Sequence, residues 1–348
     1  MSSVFMELET GNFPSNRFNL KDIYCYHMFI TPLGDTMKTA FLFPGQGSQK
    51  VGMVHDLYEN YDSVKHLVEE ADDTLGFSIS KMMFEGPDSE LMKTEFTQPA
   101  ILTASVAVWQ VLKEKGVEPD IAAGHSLGEY SALVAAGAIS FADAVKTVHL
   151  RGRFMQEAVP LGEGGMAAVI GLTPDKIVEV CQSVTTPDAP VQAVNFNCPG
   201  QVVIAGATKA VEKACDALKA AGARRAIMLH VSAPFHSTLM EPAAARLKEV
   251  LDTIEIHDTK IPVVANVNAK EETKADEIRK NLVDQAAHPV HWEESIRNMI
   301  AGGVDYTVEA GPGTVLSGFM RKIDRKVPCV HAEDAVTVDE VVKALKGE

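Results

Sequence analysis

The 348-residue chain has room for one large or two smaller domains, and its 46% hydrophobic content is that of a globular protein with a sizeable core. Its 47 acidic against 32 Lys and Arg side chains give a formal net charge of −15, which argues against general affinity for nucleic acid or anionic membranes. No run reaches the ~18 apolar residues a membrane span needs.

Residues 1–36 read differently from the rest. They mix Asn, Pro and single aromatics without periodicity, and they lack the basic start, apolar core and cleavage site of a signal peptide. We expect a disordered leader or non-family extension, then a fresh start at Met37. From there short apolar runs alternate with helical patterns. The pattern predicts a strand at Thr39–Phe43, helices at Val64–Leu75 and Gln98–Lys115, and a strand at Ile121–Ala123. Helices follow at Tyr130–Gly137 and Phe141–Val159.

The middle predicts a unit of its own. Met166–Gly171 is strand-like, Pro174–Ser183 helical with Pro at its start. Val191–Phe196 and Gln201–Ala205 are strands around an Asn-Cys-Pro-Gly turn. Lys209–Ala221 is a helix closed by Gly222, and Arg225–Val231 is a last strand. This β-α-β-β-α-β order is the ferredoxin-like pattern. Beyond it we expect a helix at Ser237–Thr253, a strand at Val263–Ala265, and helices near Ala275–Gln285 and Trp292–Ala301. A strand at Tyr306–Glu309 then leads through Gly311-Pro312-Gly313 into another helix. The fold class is therefore α/β: a large α/β-hydrolase-like domain with a mostly parallel sheet (37–161 and 232–348) carrying an inserted ferredoxin-like subdomain (162–231).

Gly124-His125-Ser126-Leu127-Gly128 is G-x-S-x-G between an apolar run and a helical segment, the context of a nucleophile elbow. A free hydroxyl is a poor nucleophile, so Ser126 needs a base. Of eleven histidines, His236 is the best candidate, because it lies in the loop that returns to the large domain. His125 neighbours Ser126, but adjacent residues on a tight turn point apart. His149 falls on the polar side of its helix. An ordinary capping histidine remains an equal reading of His236 at this point.

In the helix at Phe141–Val159 the apolar stripe runs Ala144, Val148, Met155, and Arg151 falls on it. A buried guanidinium needs an anionic partner, either a structural Asp or Glu or a substrate carboxylate. The turn Phe43-Pro44-Gly45-Gln46-Gly47 tempts a dinucleotide reading, but Lys50 stands where the third glycine is required. It can still offer backbone N–H groups to an anion. The cysteines (Cys25, Cys181, Cys198, Cys215, Cys329) form no C-x-x-C pair, which fits a reducing cytoplasm and no structural metal.

Taken together these residues resemble the malonyl-CoA:acyl carrier protein transacylases of bacterial fatty-acid synthesis. The resemblance runs from about Met37 to at least Lys322. It is carried by Phe43–Gln49, Thr97-Gln98-Pro99-Ala100, the elbow, Arg151-Gly152, Asn195-Phe196-Asn197, Pro199–Gly206, His236, Pro289-Val290 with Trp292, and Gly311-Pro312-Gly313. It implies Ser126 as nucleophile and His236 as its base. It implies an oxyanion hole from the Gln46 and Leu127 N–H groups, and a substrate pocket with Arg151, Gln98 and Asn197. The backbone carbonyl of Gln285 would orient the histidine. Phe235 departs from the small polar residue of many bacterial members, which touches only pocket shape.

The resemblance further implies ping-pong transfer from malonyl-CoA to the phosphopantetheine thiol of acyl carrier protein. It implies no bound cofactor, no metal, no nucleic acid or membrane partner, and a cytoplasmic monomer meeting its carrier transiently. Acyl carrier proteins are acidic, so docking calls for a local basic patch. Arg224 and Arg225 are the expected patch, with Lys322, Arg325 and Lys326 next. A lipase- or patatin-type hydrolase would share the elbow without giving Arg151 a reason; a non-catalytic relative would have no reason to keep Ser126 and His236.

Overall fold

The computed structural model of the protein describes residues 37–229 and 231–347; the leader expected over 1–36 lies outside them. Strand β1 (Thr39–Phe43) is buried along its whole length, as an apolar run without alternation implies. Helices α1 (His55–Asn60), α2 (Asp62–Leu75), α3 (Ile79–Glu85) and α4 (Asp88–Leu91) lead to α5 (Thr94–Glu114). Then β2 (Ile121–Gly124) runs into α6 (Gly128–Ala135), and α7 (Phe141–Glu157) follows. The middle holds β3 (Gly164–Ile170), α8 (Pro174–Val184), β4 (Val191–Cys198), β5 (Gln201–Ala207), α9 (Thr208–Ala220) and β6 (Arg225–Met228). The chain returns through a 3-10 turn (Thr238–Met240) to α10 (Glu241–Leu251), β7 (Val263–Val264), β8 (Glu271–Glu272), α11 (Ala275–Ala287) and α12 (Trp292–Ala301). It ends with β9 (Tyr306–Ala310), α13 (Val315–Ile323), β10 (Cys329–Ala332) and α14 (Ala335–Lys346).

The strands make two sheets. One has the order β10-β9-β1-β2-β7-β8, parallel except where β8 turns back on β7. Apolar layers cover both its faces: Phe41 and Phe43 enter one cluster, Ala40 and Leu42 the other. The second sheet is antiparallel, in the order β4-β5-β3-β6, and packs α8 and α9 over its own apolar cluster. Phe196 N–H donates to the Val290 carbonyl at 2.9 Å and Val290 N–H to the Val194 carbonyl at 2.7 Å, which ties β4 to the loop before α12.

Register positions the site. Phe43 pairs with Gly124, so the turns leaving β1 and β2 begin side by side. The elbow then folds back so tightly that a Cβ on Gly124 would strike the Gly128 backbone, and one on Gly128 the Phe43 carbonyl. Only glycine fits at either place.

Four expectations change. The helix expected at Ser237–Thr253 is broken into the 3-10 turn and α10. Pro242, in the first turn of α10, has no N–H to continue a longer helix but suits a new start. Helix α5 begins four residues before Gln98 and runs through Pro99, which leaves the Glu95 carbonyl without its usual helical donor. His149 takes that place: its Nδ1 donates to Glu95 O at 2.8 Å, and the ring packs on Phe77 and Phe96. It is therefore partly buried rather than on a solvated face. Strand β6 stops at Met228, short of Val231. Helices α1, α3, α4 and α14 and strands β8 and β10 are additions that the sequence pattern did not signal.

Gly128→Ala should cost ~1–3 kcal/mol, the usual penalty of overpacking. A urea midpoint equal to that of the parent protein would count against the tight elbow.

Candidate active site

The short β2–α6 turn puts Ser126 in left-handed backbone, at φ 53°. Such backbone in a non-glycine residue costs energy and persists only where the surroundings fix it. Here Asn266 does: its Oδ1 accepts the Ser126 N–H at 2.6 Å, and its Nδ2 donates to the Gly124 carbonyl at 2.7 Å. The loop from the second sheet brings in His236, also left-handed at φ 62° and buried. Its Nε2 lies 2.7 Å from Ser126 Oγ. Its Nδ1 lies 2.8 Å from the Gln285 carbonyl, which can only accept. The proton therefore sits on Nδ1, and Nε2 turns a lone pair to the hydroxyl. Burial, then the nearby Arg151 charge, push the His236 pKa down to about 3. The ring is neutral at pH 7, as a base must be before it acts.

Arg151 enters from α7 and is 1% exposed. Its Nη1 donates to Gln98 Oε1 at 2.8 Å, and its Nη2 to Gln285 Oε1 at 2.9 Å and Ser126 Oγ at 3.2 Å. The Nε has no partner, and the Tyr130 ring lies 5.7 Å from the guanidinium carbon. Among the described residues, none of its hydrogen bonds goes to a carboxylate. A cation buried this way is several kcal/mol short of full compensation. A buried carboxyl group, Glu129, acts on it through space and shares Gln285 with it, but makes no hydrogen bond to it.

These groups open on one pocket of about 230 Å³, lined also by Gln46, Leu127, Asn195, Asn197, Phe235 and Phe319. The backbone N–H groups of Gln46 and Leu127 have no backbone acceptor among the described residues. Asn197 Oδ1 accepts from His125 Nε2 at 2.8 Å, and the His125 ring stands edge-on to Trp292. His125 thus braces the pocket wall. Burial holds its pKa down. The structure brings together Ser126, His236, Arg151, Gln98, Gln285, Asn197, Gln46 and Leu127. It does not bring in Arg224 and Arg225. Arg225 pairs with Ile170, four residues and ~13 Å along the strand from the pocket-lining Leu229. Lys322 is on α13, whose Val315, Leu316 and Phe319 line the pocket, and its Nζ donates to Gln201 Oε1 at 3.0 Å.

Sequence reasoning missed Asn266 and Glu129. Glu129 is buried on α6, and its Oε2 accepts the Asn266 N–H at 2.8 Å and Gln285 Nε2 at 3.0 Å. An acidic residue as the one charged member of a short helix was the available signal.

The model of the acyl transferase domain family matches residues 40–342. The malonyl CoA-acyl carrier protein transacylase of Bacillus subtilis (strain 168) is 51% identical over 311 residues, covering 89% of this chain and 98% of that protein. The Escherichia coli (strain K12) protein of the same name is 51% identical over 285 residues, 82% of this chain and 92% of that one. The chain belongs to this transacylase family. The solved structure of the Coxiella burnetii malonyl CoA-acyl carrier protein transacylase matches with a TM-score of 0.87 at 39% identity, over 89% of this chain and 98% of that one. A malonyl-transacylase solved in complex with a type II PKS acyl-carrier protein matches at 0.86 and 47% identity, over 89% of this chain and all of its own.

Inactivation by a small sulfonyl fluoride reads the Ser126–His236 pair without an acyl substrate. Its rate should stay level from pH 7 to pH 5, where a histidine of ordinary pKa would lose about twenty-five-fold. Arg151→Ala should move the acid limb upward, because the Arg151 charge helps hold the histidine neutral. A limb near pH 6.5 in the parent protein would refute the assignment.

Proposed function

We propose that the protein transfers the malonyl group of malonyl-CoA to the phosphopantetheine thiol of acyl carrier protein through a malonyl-serine intermediate, supplying extender units for fatty-acid synthesis. The observation that carries this is Arg151: a buried cation beside Ser126 whose N–H groups meet only neutral oxygens. A substrate carboxylate supplies the missing charge in the bidentate geometry a guanidinium favours. The relatives' names and the carrier complex of a structural neighbour point the same way.

The steps follow from the geometry. Ser126 Oγ attacks the thioester carbonyl as His236 Nε2 takes its proton. The new oxyanion is met by the unspent N–H groups of Gln46 and Leu127. Collapse breaks the carbon–sulfur bond, and the leaving thiolate takes the proton from His236. In the second half the pantetheine thiol gives its proton to His236 and attacks the serine ester, and Ser126 regains its hydroxyl. The Gln285 carbonyl steadies the imidazolium where a triad would use a carboxylate. Gln98 and Asn197 shape the pocket for the acyl group and the arm that brings it.

We place the reaction in the cytoplasm, in keeping with free buried thiols at Cys181, Cys198 and Cys215. Among the described residues no helix is long and apolar enough to cross a membrane. We take the enzyme to act as a monomer with no bound cofactor, meeting the carrier only transiently. We also take 162–231 as a subdomain set into the larger one. Its separate sheet and apolar cluster support that division.

Intact-mass measurement after mixing with malonyl-CoA should find one added malonyl group, absent in Ser126→Ala. Arg151→Ala should cost malonyl transfer roughly 2–5 kcal/mol, with acetyl transfer losing less. Equal losses for both acyl groups in a folded variant, or no adduct on the parent protein, would reject the proposal.

Arg224 and Arg225 are retained as the proposed carrier patch. Reversing both to Glu should raise the carrier KM several-fold at low salt and flatten its salt dependence. An unchanged KM would move the patch to Lys322, Arg325 and Lys326.

A further inference from the structure

Behind the pocket lies a buried carboxyl group that the transfer steps do not use. Glu129 follows Ser126 by three residues and is fully buried. Its Oε2 accepts from both the Asn266 backbone and Gln285 Nε2. Each partner reaches the reacting groups. Asn266 holds the Ser126 N–H and the Gly124 carbonyl, the two ends of the strained elbow. Gln285 Nε2 also donates to the Ser126 carbonyl at 2.9 Å, its Oε1 accepts from Arg151, and its backbone carbonyl accepts from His236. A single carboxyl oxygen therefore ties together the supports of the nucleophile, the base and the buried cation.

The other oxygen, Oε1, has no partner among the described residues. The charged and titratable groups that act on Glu129 are Arg151 from α7, Glu272 from β8, and Tyr130 of its own helix. Glu272 is also buried; its Oε2 accepts from Asn281 Nδ2 at 2.7 Å, and its Oε1 likewise lacks a partner. Two buried carboxylates that repel each other do not both ionise near neutral pH. Burial and Glu272 push the Glu129 carboxyl up, against the smaller pull of its hydrogen bonds and Arg151. The Arg151 N–H groups go to the amides of Gln98 and Gln285, not to Glu129.

We propose that Glu129 is a positioning residue: as an uncharged acid it holds Asn266 and Gln285, and through them Ser126, His236 and Arg151, leaving the Arg151 charge for an anionic acyl group. The last clause rests on the malonyl reading. The positioning does not. An ionised Glu129 would set a negative charge behind Arg151 and weaken its hold on a carboxylate. An uncharged acceptor keeps the geometry without that cancellation.

Glu129→Ala and Glu129→Gln, made in the full chain, separate these roles. Phenylmethylsulfonyl fluoride reads the Ser126–His236 pair, and malonyl-CoA KM reads the Arg151 charge. Glu129→Ala should slow inactivation by about 10²-fold, the scale of a small misplacement of reacting groups, and Glu129→Gln, whose side-chain oxygen can accept both N–H groups, should recover to within about three-fold. The malonyl-CoA KM of Glu129→Gln should match that of the parent. If Glu129→Ala does not fold, Asn266→Ala takes its place and should slow inactivation in the same way.

Inactivation of Glu129→Ala at the parent rate overturns the positioning role. Glu129→Gln as slow as Glu129→Ala shows that the charge is needed and overturns the uncharged acid. A several-fold fall in malonyl-CoA KM for Glu129→Gln does so too, since it means a negative charge was removed. If the parent forms no malonyl-enzyme but the sulfonyl fluoride pattern holds, the malonyl reading fails and the positioning role stands.

Discussion

Arg151 carries a positive charge to a point where water cannot solvate it and, among the described residues, no carboxylate hydrogen-bonds to it. Much of the site follows from that. The guanidinium must spend its N–H groups on neutral oxygens, so Gln98 and Gln285 turn their side-chain oxygens toward it. Because Gln285 is fixed in this way, its backbone carbonyl is fixed as well, and that carbonyl orients His236. The same charge helps to keep His236 neutral, which leaves Nε2 free to accept from Ser126. The buried cation thus fixes the residue that orients the base, and it keeps that base neutral.

The second constraint is backbone strain. Ser126 and His236 both sit at positive φ, a conformation that costs of order 1–3 kcal/mol at each non-glycine residue. Neither would hold it alone. The elbow is clamped from one side by the close approach of Gly124 and Gly128, and from the other by Asn266. The histidine loop is held by its own ring through Gln285 and by the Ser237 hydroxyl, which donates to the Pro234 carbonyl at 2.7 Å. Rigidity of this kind suits a reaction that runs through two tetrahedral intermediates in one pocket, because the donors stay in place for both halves.

Local signals in the sequence carried the parts of this arrangement that depend on local chemistry. Two glycines around a serine after an apolar run marked the elbow, since close packing there admits no side chain. Arg151 stood out because a charged residue fell on an apolar stripe. His236 was different: position alone left it no better than a capping residue, and the resemblance singled it out. The supports were harder still. Asn266 meets Ser126 across 140 residues and Glu129 meets Gln285 across 156, so no spacing announces them. His149 was misread for a related reason. The carbonyl it satisfies was freed by Pro99, on a different helix. The break before α10 does have a local signal, Pro242 in the first turn of that helix. Short helices such as α1 and α4 carry too few apolar positions to show a period.

The two sheets contribute unequally to selectivity. The parallel sheet supplies Ser126 and Gln46 from the turns after the adjacent ends of β2 and β1, so their relative placement is fixed by register. The antiparallel sheet supplies the facing wall, through Met166, Asn195, Asn197 and Val203. It is joined near the pocket by the hydrogen bonds between β4 and Val290. A small movement of that wall would alter which acyl chains and arms fit without disturbing Ser126, His236 or Arg151. Charge is divided in a similar way. The net charge of −15 acts over the whole surface and is screened within about 8 Å at physiological salt, so it bears on how fast an acidic carrier approaches. Arg151 is buried and barely screened, so the selectivity proposed for it is insensitive to salt. The proposed selection of the acyl group by Arg151 and the encounter with the carrier are therefore separable: added salt weakens the second and leaves the first.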